Sequence, residues 1–194
     1  MNLLYPKITL RQFGWMMIFG LVGSIIAGAY GIVHDQITFR LGPEYFTKFK
    51  LIQFDYLDST APIHVTVVKI GFLATWWVGL FAGWFMGRIT LPHEPVKVAA
   101  RRSLIGVGVM ILAALVFACV ADRLAPTSLK DPSLDYWNEM FAGYNIEDTL
   151  AFIRVGYIHN ASYLGGLIGL IAVLIGLRLT RKNHDIQHKA SSPA

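Results

Sequence analysis

The chain has 194 residues, of which 55% are hydrophobic and only 15% charged, and its mean hydropathy is +0.51. A soluble domain carries about 25% charged residues, so the deficit excludes a disordered chain, a nucleic-acid-binding arm and an ordinary cytosolic enzyme. The net charge of +5 is sorted by topology, as shown below, so it does not point to nucleic acid as a partner.

A helix needs about 20 apolar residues to cross the hydrocarbon core of a bilayer. Four stretches qualify: Phe13 to Val33, Val65 to Gly87, Leu104 to Ala121 and Val155 to Leu177. They are too long and too evenly apolar for barrel strands, so helices are the spanning structure expected. The first stretch has a basic start, Lys7 and Arg11, and a small-x-small site at Ala27-Gly28-Ala29, as a signal peptide does. Its apolar run continues to Val33, and it is read here as a retained transmembrane helix. Small residues recur every fourth position in the first helix (Gly20, Ser24, Gly28), the second (Gly71, Thr75, Gly79, Gly83, Gly87) and the fourth (Ala161, Gly165, Gly169). Such stripes permit close approach of helices in lipid, within one bundle or with another chain. Trp84 is expected at an interface, and Trp76 and Trp77 in packing at mid-membrane. Cys119, the lone cysteine, is expected to be a small packing residue.

The first connection contains Ile37 to Leu41, which alternates weakly like a short strand, and then Gly42-Pro43. From Glu44 to Phe54 a short amphipathic helix is expected on the membrane surface, with Tyr45, Phe49 and Ile52 on its apolar face. In the longer third connection, Asp135 to Phe141 is a second candidate surface helix. Asn145, followed by Glu147 and Asp148, reads as an N-cap that starts the fourth helix near Ile146. The fold expected is therefore all-α: a four-helix transmembrane bundle spanning residues 1–180, with short amphipathic helices in the two outer loops. A polar, disordered cytoplasmic tail is expected over residues 181–194.

Flanking Lys and Arg set the orientation. The N-terminus, the short second connection and the tail together hold ten Lys and Arg against two acids; the two long connections and adjoining helix ends hold six against ten acids. Both termini are expected in the cytoplasm of a bacterium, with the long loops facing outward from the inner membrane.

Ionisable side chains in or beside membrane spans are costly and often functional. Here they gather at the outer rim: His34, Asp35 and Gln36 end the first span, His64 and Lys69 open the second, Asp122 ends the third, and Arg154, His159 and Asn160 open the fourth, with Glu44 in the adjoining loop. Histidine with carboxylate can ligate a divalent transition metal, and two facing histidines can hold a haem; His34 and His159 are the candidates. The same groups could instead pin the loops by structural pairing, or serve metal-free proton transfer. No His-Glu-x-x-His, Glu-x-x-His or paired Cys-x-x-Cys motif is present to identify catalysis.

The stretches Tyr30-Gly31-Ile32-Val33-His34-Asp35-Gln36-Ile37-Thr38, Pro43-Glu44-Tyr45-Phe46-Thr47-Lys48-Phe49 and His159-Asn160-Ala161-Ser162-Tyr163-Leu164-Gly165-Gly166 resemble those of an uncharacterised family of bacterial multi-pass inner-membrane proteins. The resemblance implies that setting and assigns no role to any residue. Three functions remain open on the sequence. The first is a non-catalytic accessory component of a membrane complex, binding a membrane-protein partner or itself through the small-residue stripes. The second is a metal- or haem-binding protein with an outer-face site, as in an oxidoreductase or hydrolase. The third is a small oligomeric transporter with Lys69 as its intramembrane charge.

Overall fold

The structure is a computed structural model that describes residues 8–58, 60–132 and 134–190, the last ten of these as backbone only. Lys7 and residues 191–194 of the expected tail lie outside the described residues. Among the described residues the chain is all-α. Helix α1 (Leu10–Leu41) is followed by a π-helical turn (Tyr45–Lys50) that runs into a short α2 (Leu51–Gln53). Then come α3 (Ile63–Thr90), α4 (Val96–Leu124), the short α5 (Leu134–Met140) and α6 (Thr149–Ala190). Helices α1, α3, α4 and α6 are long and apolar enough to cross a membrane.

The four long helices form two antiparallel pairs, and glycine decides both. Along the α1–α3 seam, a Cβ added at Gly23 would fall on the Gly79 carbonyl, one at Gly31 on the Gly71 carbonyl, and one at Gly83 on the Phe19 carbonyl. Backbones this close leave no room for any side chain, so the four-residue spacing is a requirement of the contact. Thr75 seals the seam: its hydroxyl lies 2.8 Å from the Ala27 carbonyl across the interface and 2.8 Å from its own Gly71 carbonyl. The α4–α6 pair is built likewise, with Gly165 against Ala113 and Phe117 and Gly169 against Met110. The pairs meet through Met86, Gly106 and Val173 toward the end that holds the chain termini. At the opposite end, which carries the long connections and is called the loop end below, α1 meets α6.

The remaining surfaces explain the apolar composition. Leu21, Ile25, Val33, Leu112, Leu164 and Leu167 are all exposed, as a lipid-facing surface requires. Trp76 and Trp77 stand on this outer surface, while Trp84 packs edge-on against Phe13 at 5.6 Å. Cys119 is exposed on α4 and does not pack in the core, contrary to expectation. Its neighbour Ala118 takes the buried position instead.

Three local expectations are corrected. The segment Ile37 to Leu41 is helical, because α1 runs two turns beyond its apolar stretch. Asp35 and Thr38 are buried on its inner face, and the helix stops only at Gly42, where a Cβ would strike the Ala151 carbonyl of α6. The segment after Glu44 is a π-helical turn, and Tyr45, Phe46 and Lys50 are buried in the protein rather than laid on a membrane surface. Helix α6 starts at Thr149, where the Asp148 carboxylate accepts from the Ala151 amide at 3.0 Å, while Asn145 takes a left-handed turn conformation upstream. At its far end the backbone of α6 is continuous to Ala190, through a stretch with no Gly or Pro.

The glycine seam makes a quantitative prediction. Gly23→Ala or Gly79→Ala should each destabilise the protein by about 1–3 kcal/mol through overpacking against backbone that cannot move aside. Gly108→Ala and Gly176→Ala, where nothing lies within 4 Å of the added carbon, should leave stability unchanged or slightly raised. Unfolding midpoints in detergent micelles distinguish the two pairs of variants.

Candidate functional site

The i, i+4, i+8 spacing of Tyr30, His34 and Thr38 places them on one face of α1, with Asp35 beside them. On α6, His159, Ser162 and Tyr163 face back. Tyr30 Oη and Ser162 Oγ are 2.8 Å apart, and Thr38 Oγ1 and His159 Nε2 are 3.1 Å apart. The Thr38 hydroxyl also lies 3.0 Å from the His34 carbonyl. When its proton goes there, its oxygen accepts from His159 Nε2–H, and His159 Nδ1 faces the Tyr163 hydroxyl at 3.5 Å.

Asp35 lies at the centre. Its Oδ1 is 3.3 Å from His34 Nδ1 and 3.8 Å from His159 Nε2. His159 is wholly buried, Asp35 is 3% exposed, and the His34 side chain is 9% exposed. One donor atom from each of the three residues can be chosen so that all lie within 4.8 Å of one another. Two polar atoms in this group, His34 Nε2 and Asp35 Oδ2, are buried with no hydrogen-bond partner among the described residues. An unsatisfied buried polar atom costs about 1–3 kcal/mol, and two in adjacent residues call for an explanation.

The roof of the site comes from the π-helical turn. The Tyr45 ring lies 4.9 Å from the His159 ring and the Phe46 ring 5.8 Å from it. Behind Tyr45 sits Lys50, 4% exposed, whose ammonium donates to Gln53 Oε1 at 2.9 Å. The same ammonium lies 5.8, 5.6 and 5.9 Å from the ring centres of Tyr45, Phe49 and Phe54. Burial pushes the Lys50 ammonium below the usual lysine range, and the charge of Asp35 opposes that fall. Burial also pushes the Tyr45 phenol up, which keeps it neutral.

Of the rim residues expected from the sequence, the fold brings His34, Asp35 and His159 together and sends the others elsewhere. Gln36 donates to the His64 carbonyl at 2.9 Å, and His64 Nδ1 faces Gln36 Oε1 at 3.4 Å, so these two form an exposed tie between α1 and α3. Asp122 takes Arg154 in a two-pronged ion pair, at 2.6 and 3.1 Å, fastening the end of α4 to α6. Lys69 is exposed on α3 and adds a lesser pull on the Asp58 carboxyl, which the Thr60 hydroxyl and amide chiefly hold below its usual range. Asn160 is exposed beside the buried His159. Glu44 is a loop fastener: its carboxylate accepts from the Glu147 amide at 3.0 Å and the Asp148 amide at 2.7 Å, in the segment that leads into α6. Sequence reasoning missed Tyr30, Thr38, Tyr45, Lys50, Ser162 and Tyr163. The i+4 spacing of Tyr30 and Thr38 from His34 was the available signal for two of them.

The histidine pair does not fit a haem. Its ring centres are 4.7 Å apart at 78°, whereas two axial imidazoles on one iron stand about 6 Å apart with a clear plane between them. Here Thr38, Asp35 and the Tyr45 and Phe46 rings fill the surroundings. A single ion is a different matter. Two bonds of about 2.1 Å at a tetrahedral angle separate their donors by about 3.4 Å, so small side-chain shifts would bring the three donors into range. Two imidazoles and a carboxylate suit zinc, iron(II) or manganese(II).

Comparison of the chain with protein-family models, with curated proteins and with solved structures found no match in any of the three. The resemblance noted in the sequence rests on its motifs.

The reassignment of Glu44 is open to measurement. Glu44→Ala should lower stability by about 1 kcal/mol, as loss of hydrogen bonds to an exposed carboxylate does, and Glu44→Gln by less, because an amide oxygen still accepts. Denaturant midpoints in micelles give both values.

Proposed function

We propose that the protein is a metal-binding membrane protein that holds one first-row divalent ion between α1 and α6, with His34, Asp35 and His159 as its ligands. The observation that carries this reading is the convergence of one donor atom from each of three buried residues to within 4.8 Å of one another, beside two further atoms of the same residues, His34 Nε2 and Asp35 Oδ2, that have no hydrogen-bond partner among the described residues. Structural pairing alone leaves this buried polar group incompletely satisfied, whereas an ion would give its carboxylate and imidazole lone pairs a partner. The ion would supply positive charge to a carboxylate held out of water, and it would link the two helix pairs at the loop end. Tyr163, next to Nδ1 of His159, would fix the orientation of that ring, while Nε2, which faces Thr38 and Asp35, would give up its proton and turn to the ion. The oligomeric-transporter reading has no comparable observation behind it: Lys69 is exposed on α3 of the single chain. An accessory role in a larger membrane assembly is compatible with metal binding but has no comparable observation behind it.

The setting belongs to the same proposal: a bacterial inner membrane, both termini in the cytoplasm and the metal site under the outer leaflet. It is supported by the ten Lys and Arg on the terminal side against six on the loop side. A C-terminal green fluorescent protein fusion should fluoresce and a C-terminal alkaline phosphatase fusion should be inactive. The opposite pair of results would invert the topology.

Elemental analysis of protein purified without chelators tests the site. About one zinc, iron or manganese per chain is expected. Asp35→Asn, His34→Ala and His159→Ala should each weaken binding at least about tenfold, as loss of a ligand does. Gln36→Ala and His64→Ala should bind as the parent does. A chain that carries no metal, and whose unfolding midpoint does not move on titration with these ions, would overturn the proposal.

A further inference from the structure

Lys50 is a buried cation that makes no ion pair among the described residues, and its placement needs a reason. A lysine ammonium is almost never fully buried without an acid beside it. Here the ammonium is held by one amide oxygen and the rings of Tyr45, Phe49 and Phe54. The Tyr45 ring is shared, with Lys50 on one side and His159 on another. The two contacts place the ammonium within about 11 Å of the His159 ring centre. The intervening material is aromatic, so little screening by water is available.

We infer that Lys50 is a built-in competitor of the metal ion, a fixed positive charge that sets the affinity of the His34–Asp35–His159 site and keeps its ion exchangeable. The inference rests on the metal reading above. Without an ion, the only buried lysine or arginine among the described residues is Lys50, and its ammonium makes a buried carboxylate tolerable without touching it. When a divalent ion enters, the same ammonium becomes a like charge at short range in a poorly screened interior. It therefore stabilises the ion-free site and destabilises the filled one, and both effects loosen binding. A site built for permanent retention would have no use for such a neighbour. Lys50 touches neither the ion nor its ligands in this scheme, so it is a tuning residue and not a ligand.

The test is a zinc titration of the full chain in detergent micelles, read by competition with a chromogenic chelator, on the parent and on Lys50→Met, Lys50→Gln and Lys50→Arg. Lys50→Met removes the charge while keeping an unbranched apolar stem. Lys50→Gln keeps a donor for Gln53 and decides the matter where the methionine variant does not fold. Both neutral variants should bind zinc at least about tenfold more tightly than the parent, and Lys50→Arg should stay near the parent value. Zinc binding detected only in the neutral variants also supports the inference. If the parent binds zinc and the neutral variants bind equally or more weakly, Lys50 is only a structural prop, and the metal reading survives alone. If no variant binds zinc, both proposals fall together.

Discussion

A carboxylate withdrawn from water governs the architecture of the loop end. Asp35 points into the seam between α1 and α6, where no bulk solvent can solvate its charge. A lone buried carboxylate is so costly that its surroundings have to supply positive charge or hydrogen bonds. Around Asp35 they supply His34 on one side, His159 across the seam and the Lys50 ammonium behind an aromatic wall. Each of these is itself costly to bury, and each is tolerable only because the others are present. The turn after α1, the packing of Tyr45 and Phe46, and the approach of α6 all serve to hold this mutually dependent set together.

Such a set needs accurate positioning, and the glycine seams provide it. Helices separated by side chains can slide or rotate by small repacking steps, whereas backbones in contact cannot. The α1–α3 seam fixes α1 through Gly23, Gly31 and their partners, and the α4–α6 seam fixes α6 through Gly165 and Gly169. The Asp122–Arg154 pair fastens the outer end of the second seam, and Glu44 ties the first loop to the start of α6. The residues that seemed to belong to one rim cluster thus divide into a buried core of three and a set of fasteners around it.

The spans were legible in the sequence because hydropathy reports directly on what lipid demands of a helix. Their ends were less so. Helix α1 continues past Val33 because its polar residues find partners on α6, and that partnership is invisible in a linear reading. His34 and His159 could be paired by eye, since they lie at similar depth on helices of opposite direction. Lys50 could not. Counting at α-helical spacing put Tyr45, Phe49 and Ile52 on one face and turned Lys50 away from Tyr45. The chain instead forms a π turn, whose i→i+5 closure brings positions 45 and 50 to the same side and leaves Ile52 exposed. The one extra residue in that turn moves a charge from the surface to the interior. Lys69 failed in the opposite sense: the apolar residues around it suggested burial, but the buried face of α3 is Thr66, Val67, Ile70 and Gly71, and Lys69 falls off it.

The location of the core at the seam has a thermodynamic consequence. An ion held as proposed, by His34 and Asp35 from α1 and by His159 from α6, would bind only when the two helix pairs stand in register at the loop end. Linkage is reciprocal: whatever free energy the ion contributes to that register, the register contributes to ion binding. The two pairs are joined lightly elsewhere, chiefly around Met86, Gly106 and Val173 near the terminal end. A tightly bound ion would lock the pairs. A site loosened by a neighbouring ammonium leaves them able to part, so that occupancy and the relative placement of the helix pairs report on each other across the length of the bundle.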